Sequence, residues 1–199
     1  MNNIGLGCDD FTFAVYIGNT PNMLEYQNIS ALHPMAQGEI NAIGQECGNG
    51  WRKVFNVYAK LLYSLNTKNF SFAQRAPTWQ QYRDNYLLQN GSNTALLFNA
   101  PIVKDIECNR HADHNLGVKQ RVLISVNSNC IHIICGKIYA KALLVTNTLP
   151  VQLTWLDHEF AIDHNNKVIV CPYFDYRQLS NHKILRLSEL ISTLFSNNK

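Results

Sequence analysis

The sequence has little charge of either sign. Charged residues make up 16% of its 199 residues, against roughly 25% in an average soluble protein, and the formal net charge is only +3. Apolar residues reach 46%, whereas a disordered chain has few apolar residues and a high net charge. The weak net charge also excludes a strongly basic protein that wraps nucleic acid. Composition therefore predicts a globular protein, and we expect one domain over residues 1–199.

Long hydrophobic runs are absent as well. The longest are short, as at residues 168–171, whereas a membrane-spanning helix needs roughly 20 apolar residues. Residues 1–10 contain no Lys or Arg and no apolar segment typical of a signal peptide. We therefore expect a cytoplasmic protein with no membrane contact, whose 6 cysteines are reduced thiols.

The common catalytic motifs are missing too. The chain has no phosphate-binding P-loop, no Gly-x-Gly-x-x-Gly dinucleotide motif and no Gly-x-Ser-x-Gly nucleophile elbow. His158-Glu159 lacks the second histidine of a zinc protease, because that position holds Ile162. These absences favour a protein that uses no cofactor.

One loop holds several side chains of the types that ligate metals, but their spacing is unusual for a metal site. No Cys-x-x-Cys pair accompanies them. We interpret the segment as a solvated polar loop and predict no metal. These side chains are Asp105, Cys108, His111, Asp113 and His114.

Apolar, β-branched segments alternate along the chain with segments of helical periodicity. Short buried strands separated by helices predict an α/β protein, namely a three-layer α/β/α sandwich with a short, mainly parallel central sheet. Strands are predicted at residues 11–17, 94–99, 130–135 and 167–171, and helices at residues 49–65, 78–89 and 136–144 and from Ser180 onward.

The remaining stretches have weaker patterns. Residues 23–48 suggest a long loop with a short helix, and residues 100–117 suggest a polar loop. Residues 118–126 are ambiguous between helix and strand. Residues 159–163 and 167–171 flank a turn, which favours a hairpin or a tight strand connection.

Asparagine is unusually frequent, with 24 residues, and most of them fall in predicted turns. In α/β sheets the site lies at the carboxyl ends of the parallel strands. Among the asparagines, only Asn19, shortly after the first predicted strand, and Asn99, at the end of the second, lie where such a site is expected. His132 alternates with Ile131 and Ile133 within a strand, and we interpret it as a buried core histidine.

The order of these segments resembles the uracil-DNA glycosylase superfamily. The family's first motif is a turn after the first strand, in forms such as Gly-Gln-Asp-Pro-Tyr, and residues 18–22 of this chain, Gly-Asn-Thr-Pro-Asn, are similar. A central strand of the family ends Leu-Leu-Leu-Asn, and residues 96–99, Leu-Leu-Phe-Asn, are similar.

Two later segments carry the rest of the resemblance. The family often has Trp-Gly-x-x-Ala after a following strand, and residues 135–140, Cys-Gly-Lys-Ile-Tyr-Ala, are similar but one residue longer. The last family motif is His-Pro-Ser-Pro-Leu-Ser-Ala-His. Residues 171–172, Cys-Pro, and residues 179–183, Leu-Ser-Asn-His-Lys, each match part of it.

The resemblance implies a short parallel sheet between helices and a cleft that receives a base flipped out of the DNA stack. Asn99 would bind the edge of the base, since an amide donates and accepts hydrogen bonds at once. From the residues alone, Asn99 also suits a second role, that of a strand-end Asn capping the next loop. Gly18, Pro21 and Tyr173 complete the implied cleft.

The resemblance also implies catalytic positions, and here the sequence departs from the family. In one branch of the family a carboxylate in the first motif orients the attacking water, and the matching residue here, Thr20, carries no charge. Asn19 would position the water, as an amide does in other branches. The histidine that donates to the leaving base falls on Cys171 in one alignment and on Asp175 in the other. The loss of one such donor typically costs about 10²–10³ in rate.

Implied contacts with nucleic acid lie just beyond. Leu179 matches the residue that wedges into the duplex, and it also suits a hydrophobic staple beside the predicted helix N-cap. Basic residues near helices form either a phosphate-tracking rim or ordinary solvated helix faces. The implied contacts are Arg177, Leu179, Ser180 and Lys183.

Three hypotheses follow. The first is a glycosylase-like protein that acts on, or binds, DNA or a free nucleobase, as a metal-free hydrolase if it is active. The second is a non-catalytic binding domain that kept the fold and lost the chemistry. The third is an unrelated α/β enzyme with a small polar substrate, because the site rather than the fold decides function.

Overall fold

The computed structural model describes residues 2–108, 118–123 and 129–196. Its strands are β1 (Gly5–Gly7), β2 (Phe13–Tyr16), β3 (Leu32–His33), β4 (Thr94–Leu97), β5 (Val103–Cys108), β6 (Val118–Leu123), β7 (Ile131–Cys135), β8 (Thr154–Trp155), β9 (Ala161–Asp163) and β10 (Val168–Cys171). Its α-helices are α1 (Leu24–Gln27), α2 (Glu39–Glu46), α3 (Asn49–Ser64), α4 (Trp79–Asn85), α5 (Lys137–Val145) and α6 (Asn181–Ser196).

The main sheet has eight strands in the order β3-β1-β4-β2-β7-β10-β9-β8. At its centre β4, β2, β7 and β10 run parallel. On one side β1 is antiparallel to β4, and on the other β9 is antiparallel to β10 and to β8. The predicted α/β class is confirmed, and the sheet is mixed, with its longest parallel part at the centre.

The central strands are in close register. Ala14 of β2 pairs with Ala95 of β4 and with His132 of β7, and Cys135 of β7 pairs with Cys171 of β10. Parallel strands in register end at the same edge of the sheet. The loops that follow β2, β4, β7 and β10 therefore leave from one edge, where a site is expected.

The two faces of the sheet bury separate apolar clusters. On one face Val15 and Ile133 belong to a cluster that contains the buried side of α3, including Phe55, and the buried side of α6, including Leu187. On the other face Tyr16 and Ile134 cluster with Ala140 and Leu143 of α5. Each large side chain buried in this way contributes about 1.5–3 kcal/mol.

Helix α3 follows its predicted bounds almost residue for residue, because its apolar stripe matches the helical period and meets the sheet. Helix α4 begins where predicted, since the Thr78 hydroxyl accepts from the Gln81 N–H at 3.3 Å. It ends at Asn85, four residues short of the predicted end.

The prediction of a polar loop over residues 100–117 is wrong in part, because β5 forms within it. β5 pairs with β6 as a separate antiparallel ribbon, so the ambiguous segment 118–126 is a strand through Leu123. Residues 23–48 hold α1, β3 and α2. His111, Asp113 and His114 lie outside the described residues. Within the described part, no helix is long and apolar enough to span a membrane.

Candidate cleft at the carboxyl edge of the parallel strands

A cleft of about 660 Å³ opens at the edge where β2, β7 and β10 end. This volume lies in the range typical of small-molecule sites, about 300–1,000 Å³. It is bounded by the turns after these strands, the first turns of α5 and the connection between β8 and β9. The lining residues are Gly18, Asn19, Cys135, Gly136, Lys137, Ile138, Tyr139, Ala142, His158, Glu159, Pro172, Tyr173 and Gln178.

A hydrogen bond joins two of the predicted segments across this cleft. The Tyr173 hydroxyl donates to Asn19 Oδ1 at 3.1 Å. Burial raises the pKa of Tyr173, so the hydroxyl stays protonated and remains a donor at neutral pH. The bond holds the Asn19 amide in place. Its two N–H donors and its second acceptor position have no partner among the described residues, so they can bind a ligand.

Two glycines shape the walls. A Cβ on Gly18 would lie 3.0 Å from the ring of Tyr139, so this ring packs directly on the backbone after β2. Gly136 has a φ of +102°, which side chains other than glycine rarely adopt, and it turns the chain from β7 into α5. Gly136 is the glycine that matches the family's Gly-x-x-Ala segment, and the backbone conformation at this position requires glycine.

Two thiols at the cleft, Cys135 in its lining and Cys171 beside it, are buried. Cys171 is fully buried, and its Sγ donates to the Pro172 carbonyl at 3.3 Å. Cys135 Sγ accepts from the Phe174 N–H at 3.1 Å, and burial raises its pKa to about 12. Burial also raises the pKa of Cys171. Cys171 therefore does not present a donor to a ligand in the cleft.

Asp175, the second candidate for the donor position, is held as a carboxylate. Its Oδ2 lies 2.8 Å from Lys53 Nζ, and its Oδ1 accepts from the Arg177 N–H at 2.9 Å. The Lys53 hydrogen bond, together with the Arg177 N–H, lowers the pKa of Asp175. An ionised, paired carboxylate cannot protonate a leaving base, and Asp175 does not line the cleft.

Asn99 is not in the cleft. Its Oδ1 accepts from the Ile4 N–H at 2.8 Å, and its Nδ2 donates to the Ala100 carbonyl at 3.0 Å. The amide therefore holds the N-terminal segment beside β4 and also contacts the first carbonyl of the loop that follows Asn99. Thr20 is exposed outside the lining, and Pro21 is buried beside it.

The residues predicted to contact nucleic acid differ in burial and in their partners. Leu179 is fully buried in the cluster under α6, so it has no free side chain to insert into a duplex. Ser180 precedes α6, and its carbonyl accepts from the Ile184 N–H at 2.9 Å. Lys183 Nζ lies 2.6 Å from Glu159 Oε1, and Arg177 is exposed.

Sequence reasoning missed the contribution of the connection between β8 and β9. It brings His158 and Glu159 into the cleft lining. Asp157 anchors it: one carboxylate oxygen accepts from the N–H groups of Glu159 and Phe160, and the other lies 2.5 Å from Arg186. Although burial raises the pKa of Asp157, these N–H groups and Arg186 lower it to about 2.

The hairpin predicted over residues 159–163 and 167–171 is confirmed, because β9 and β10 pair antiparallel. No local pattern signals that the residues just before β9 line the cleft. Among the described residues, no three His, Cys, Asp or Glu side chains gather in a group able to hold a metal ion.

Comparisons with known proteins place the chain by family. No curated protein and no solved structure matches it. A family model does match residues 4–192, nearly the whole chain. The chain therefore belongs to DUF6942, a family of unknown function.

Proposed function

We propose that this chain is a uracil-DNA glycosylase-like protein whose cleft binds a nucleobase without cutting it from its sugar. The four central parallel strands, with helices on both faces, support a three-layer α/β/α fold of this type. Three of the four segments that carry the resemblance also contribute residues to one cleft, namely Gly18 and Asn19, Gly136, and Pro172 and Tyr173.

The observation that carries the proposal is the hydrogen bond from Tyr173 to Asn19. It holds an amide at the cleft whose second acceptor position and N–H donors have no partner in the described part of the chain. The edge of uracil presents a ring N–H between two carbonyl oxygens, so this amide is complementary to it. Asn19 thus takes the base-binding role that the resemblance gives to Asn99, whose amide is bound to the N-terminal backbone.

The residues at the predicted catalytic positions near Asn19 favour binding of the base without its excision. Thr20 stands where one branch of the family has its carboxylate. The two alternatives for the protonating residue are a buried thiol, Cys171, and an ionised carboxylate, Asp175. A site that lacks both groups loses the electrostatic stabilisation that contributes most to such reactions.

The proposal is tested by titration calorimetry with uracil and with N3-methyluracil. We expect uracil to bind at least about tenfold more tightly than N3-methyluracil. The methyl group replaces the ring N–H hydrogen, so the Asn19 side-chain carbonyl can no longer accept a hydrogen bond from the base. Equal affinities, or no binding of either compound, would contradict the proposed base recognition.

A second assay separates binding from catalysis. We expect the protein to release no uracil from single-stranded DNA that contains it. Release of uracil that is lost in Asn19→Ala would support the glycosylase hypothesis instead.

A further inference from the structure

Two exposed aromatic rings stand beside the cleft, each with a lysine over its face. Trp155 of β8 is 36% exposed, and Lys137 Nζ lies 5.4 Å from its ring centroid. Tyr176 is 54% exposed, and Lys53 Nζ lies 4.8 Å from its centroid. A cation over one face of a ring helps to hold it in place. Both rings are therefore preorganised platforms at the protein surface.

Both rings belong to the surroundings of the same cleft. Lys137, which contacts Trp155, is itself a lining residue. Tyr176 lies between Tyr173 and Gln178, and both of these line the cleft. A ligand that extends from the cleft past Lys137 or past the segment from Tyr173 to Gln178 would thus reach an aromatic ring.

The charges at this edge favour an anionic ligand. Each carboxylate here is neutralised by a partner: Asp157 by Arg186, Glu159 by Lys183 and Asp175 by Lys53. In the part of the chain that the structure describes, Lys137 and Arg177 form no ion pair with a carboxylate. Lys137 lines the cleft, and Arg177 directly precedes the lining residue Gln178. The local balance is therefore positive, although the net charge of the whole chain is only +3.

We infer that the cleft edge binds single-stranded nucleic acid, with the bases that flank the bound one stacked on Trp155 and Tyr176. This inference rests on the proposed nucleobase-binding function and extends it from a free base to a strand. Stacking on aromatic side chains is tolerant of sequence and requires bases with open faces. Paired bases in a duplex have both faces covered by their neighbours, so the surface selects single strands. Lys137 and Arg177 contact the phosphates.

The test is fluorescence anisotropy with a labelled 12-nucleotide single strand and the matching duplex. We expect the single strand to bind at least tenfold more tightly than the duplex, with an affinity that falls as salt rises. Trp155→Ala and Tyr176→Ala should each weaken strand binding about tenfold, and Trp155→Phe and Tyr176→Phe should restore most of it. Tyr86→Ala is the control, since Tyr86, which follows α4, is 37% exposed and lies outside the cleft lining.

Titration of free uracil separates the two proposals. If Trp155→Ala weakens strand binding but leaves uracil affinity unchanged, the stacking role is supported. If the wild-type protein binds uracil but not the strand, or if both alanine variants bind the strand like the wild type, the stacking inference is overturned and the proposed function stands. If neither uracil nor the strand binds, both proposals fail.

Discussion

The Tyr16 hydroxyl lies 2.9 Å from His132 Nδ1, and both side chains are buried in the sheet face that α5 covers. The two residues sit on the neighbouring parallel strands β2 and β7. Burial lowers the pKa of His132 to about 4. The imidazole is therefore neutral in the folded protein at neutral pH.

This pair predicts acid sensitivity. The unfolded chain protonates His132 near pH 6.5 but the folded chain only near pH 4, so between these values the unfolded state binds more protons. The contribution to stability is complete above pH 6.5 and is lost as the pH falls towards 4, by about 3 kcal/mol in all. Urea unfolding at pH 7 and pH 5 should show a drop of about 2 kcal/mol from this residue.

His132→Gln provides the comparison, because glutamine cannot titrate yet still offers Tyr16 a partner. Its stability should change less between pH 7 and pH 5 than that of the wild type. An identical drop in both proteins would show that the acid sensitivity arises elsewhere.

A buried hydroxyl without a partner predicts a stabilising substitution. Tyr82 is fully buried, and its hydroxyl is the one buried side-chain N or O atom of the described residues with no hydrogen-bond partner. Tyr82→Phe removes the desolvation penalty and should leave stability unchanged or raise it by about 1 kcal/mol. Tyr58→Phe is the matched control, because the Tyr58 hydroxyl donates to the Ala95 carbonyl at 3.0 Å. It should cost about 1 kcal/mol in denaturant unfolding, and equal effects in the two variants would contradict this account.

The turn into α5 predicts a strong preference for glycine. A Cβ on Gly136 would find space, since its nearest neighbour is a Tyr173 ring atom 3.9 Å away, so the cost of Gly136→Ala lies in the φ of +102°. We expect a loss of about 1–3 kcal/mol and weaker ligand binding, because the same turn lines the cleft. Gly50→Ala in α3, where φ is not positive and the space is open, should instead stabilise by about 0.5–1 kcal/mol. Thermal unfolding of both variants checks the sign of each effect.

The central strands and the long helices could be predicted from the sequence, because their patterns are local. The apolar runs of β2, β4, β7 and β10 and the stripe of α3 determine their own structure. The position of Asn99 after a strand was also predictable. Its side-chain partner was not, because Ile4 precedes β1, a strand of three residues with two glycines and no recognisable pattern. Asn99 Oδ1 accepts its hydrogen bond from the N–H of Ile4, a residue 95 positions away in the chain.

The cleft was predictable in part for the same reason. Turns after parallel strands converge by topology, and Gly18, Asn19 and Tyr173 lie together at one edge of the sheet, whereas Asn99 lies outside the cleft lining. Glu159 enters through an antiparallel hairpin and is oriented by Lys183 of α6, a partner distant in sequence. Leu179 illustrates the opposite case, because its motif suggested a surface role while packing under α6 buries it.

The central claim is that the Asn19 amide, fixed by Tyr173, binds the edge of a nucleobase. Titration calorimetry of uracil into wild-type protein, Asn19→Ala and Asn165→Ala tests it most directly, since Asn165 is exposed and lies outside the cleft lining. The account predicts that Asn19→Ala loses at least about tenfold in affinity while Asn165→Ala binds like the wild type. Uracil binding of unchanged strength in Asn19→Ala would contradict it.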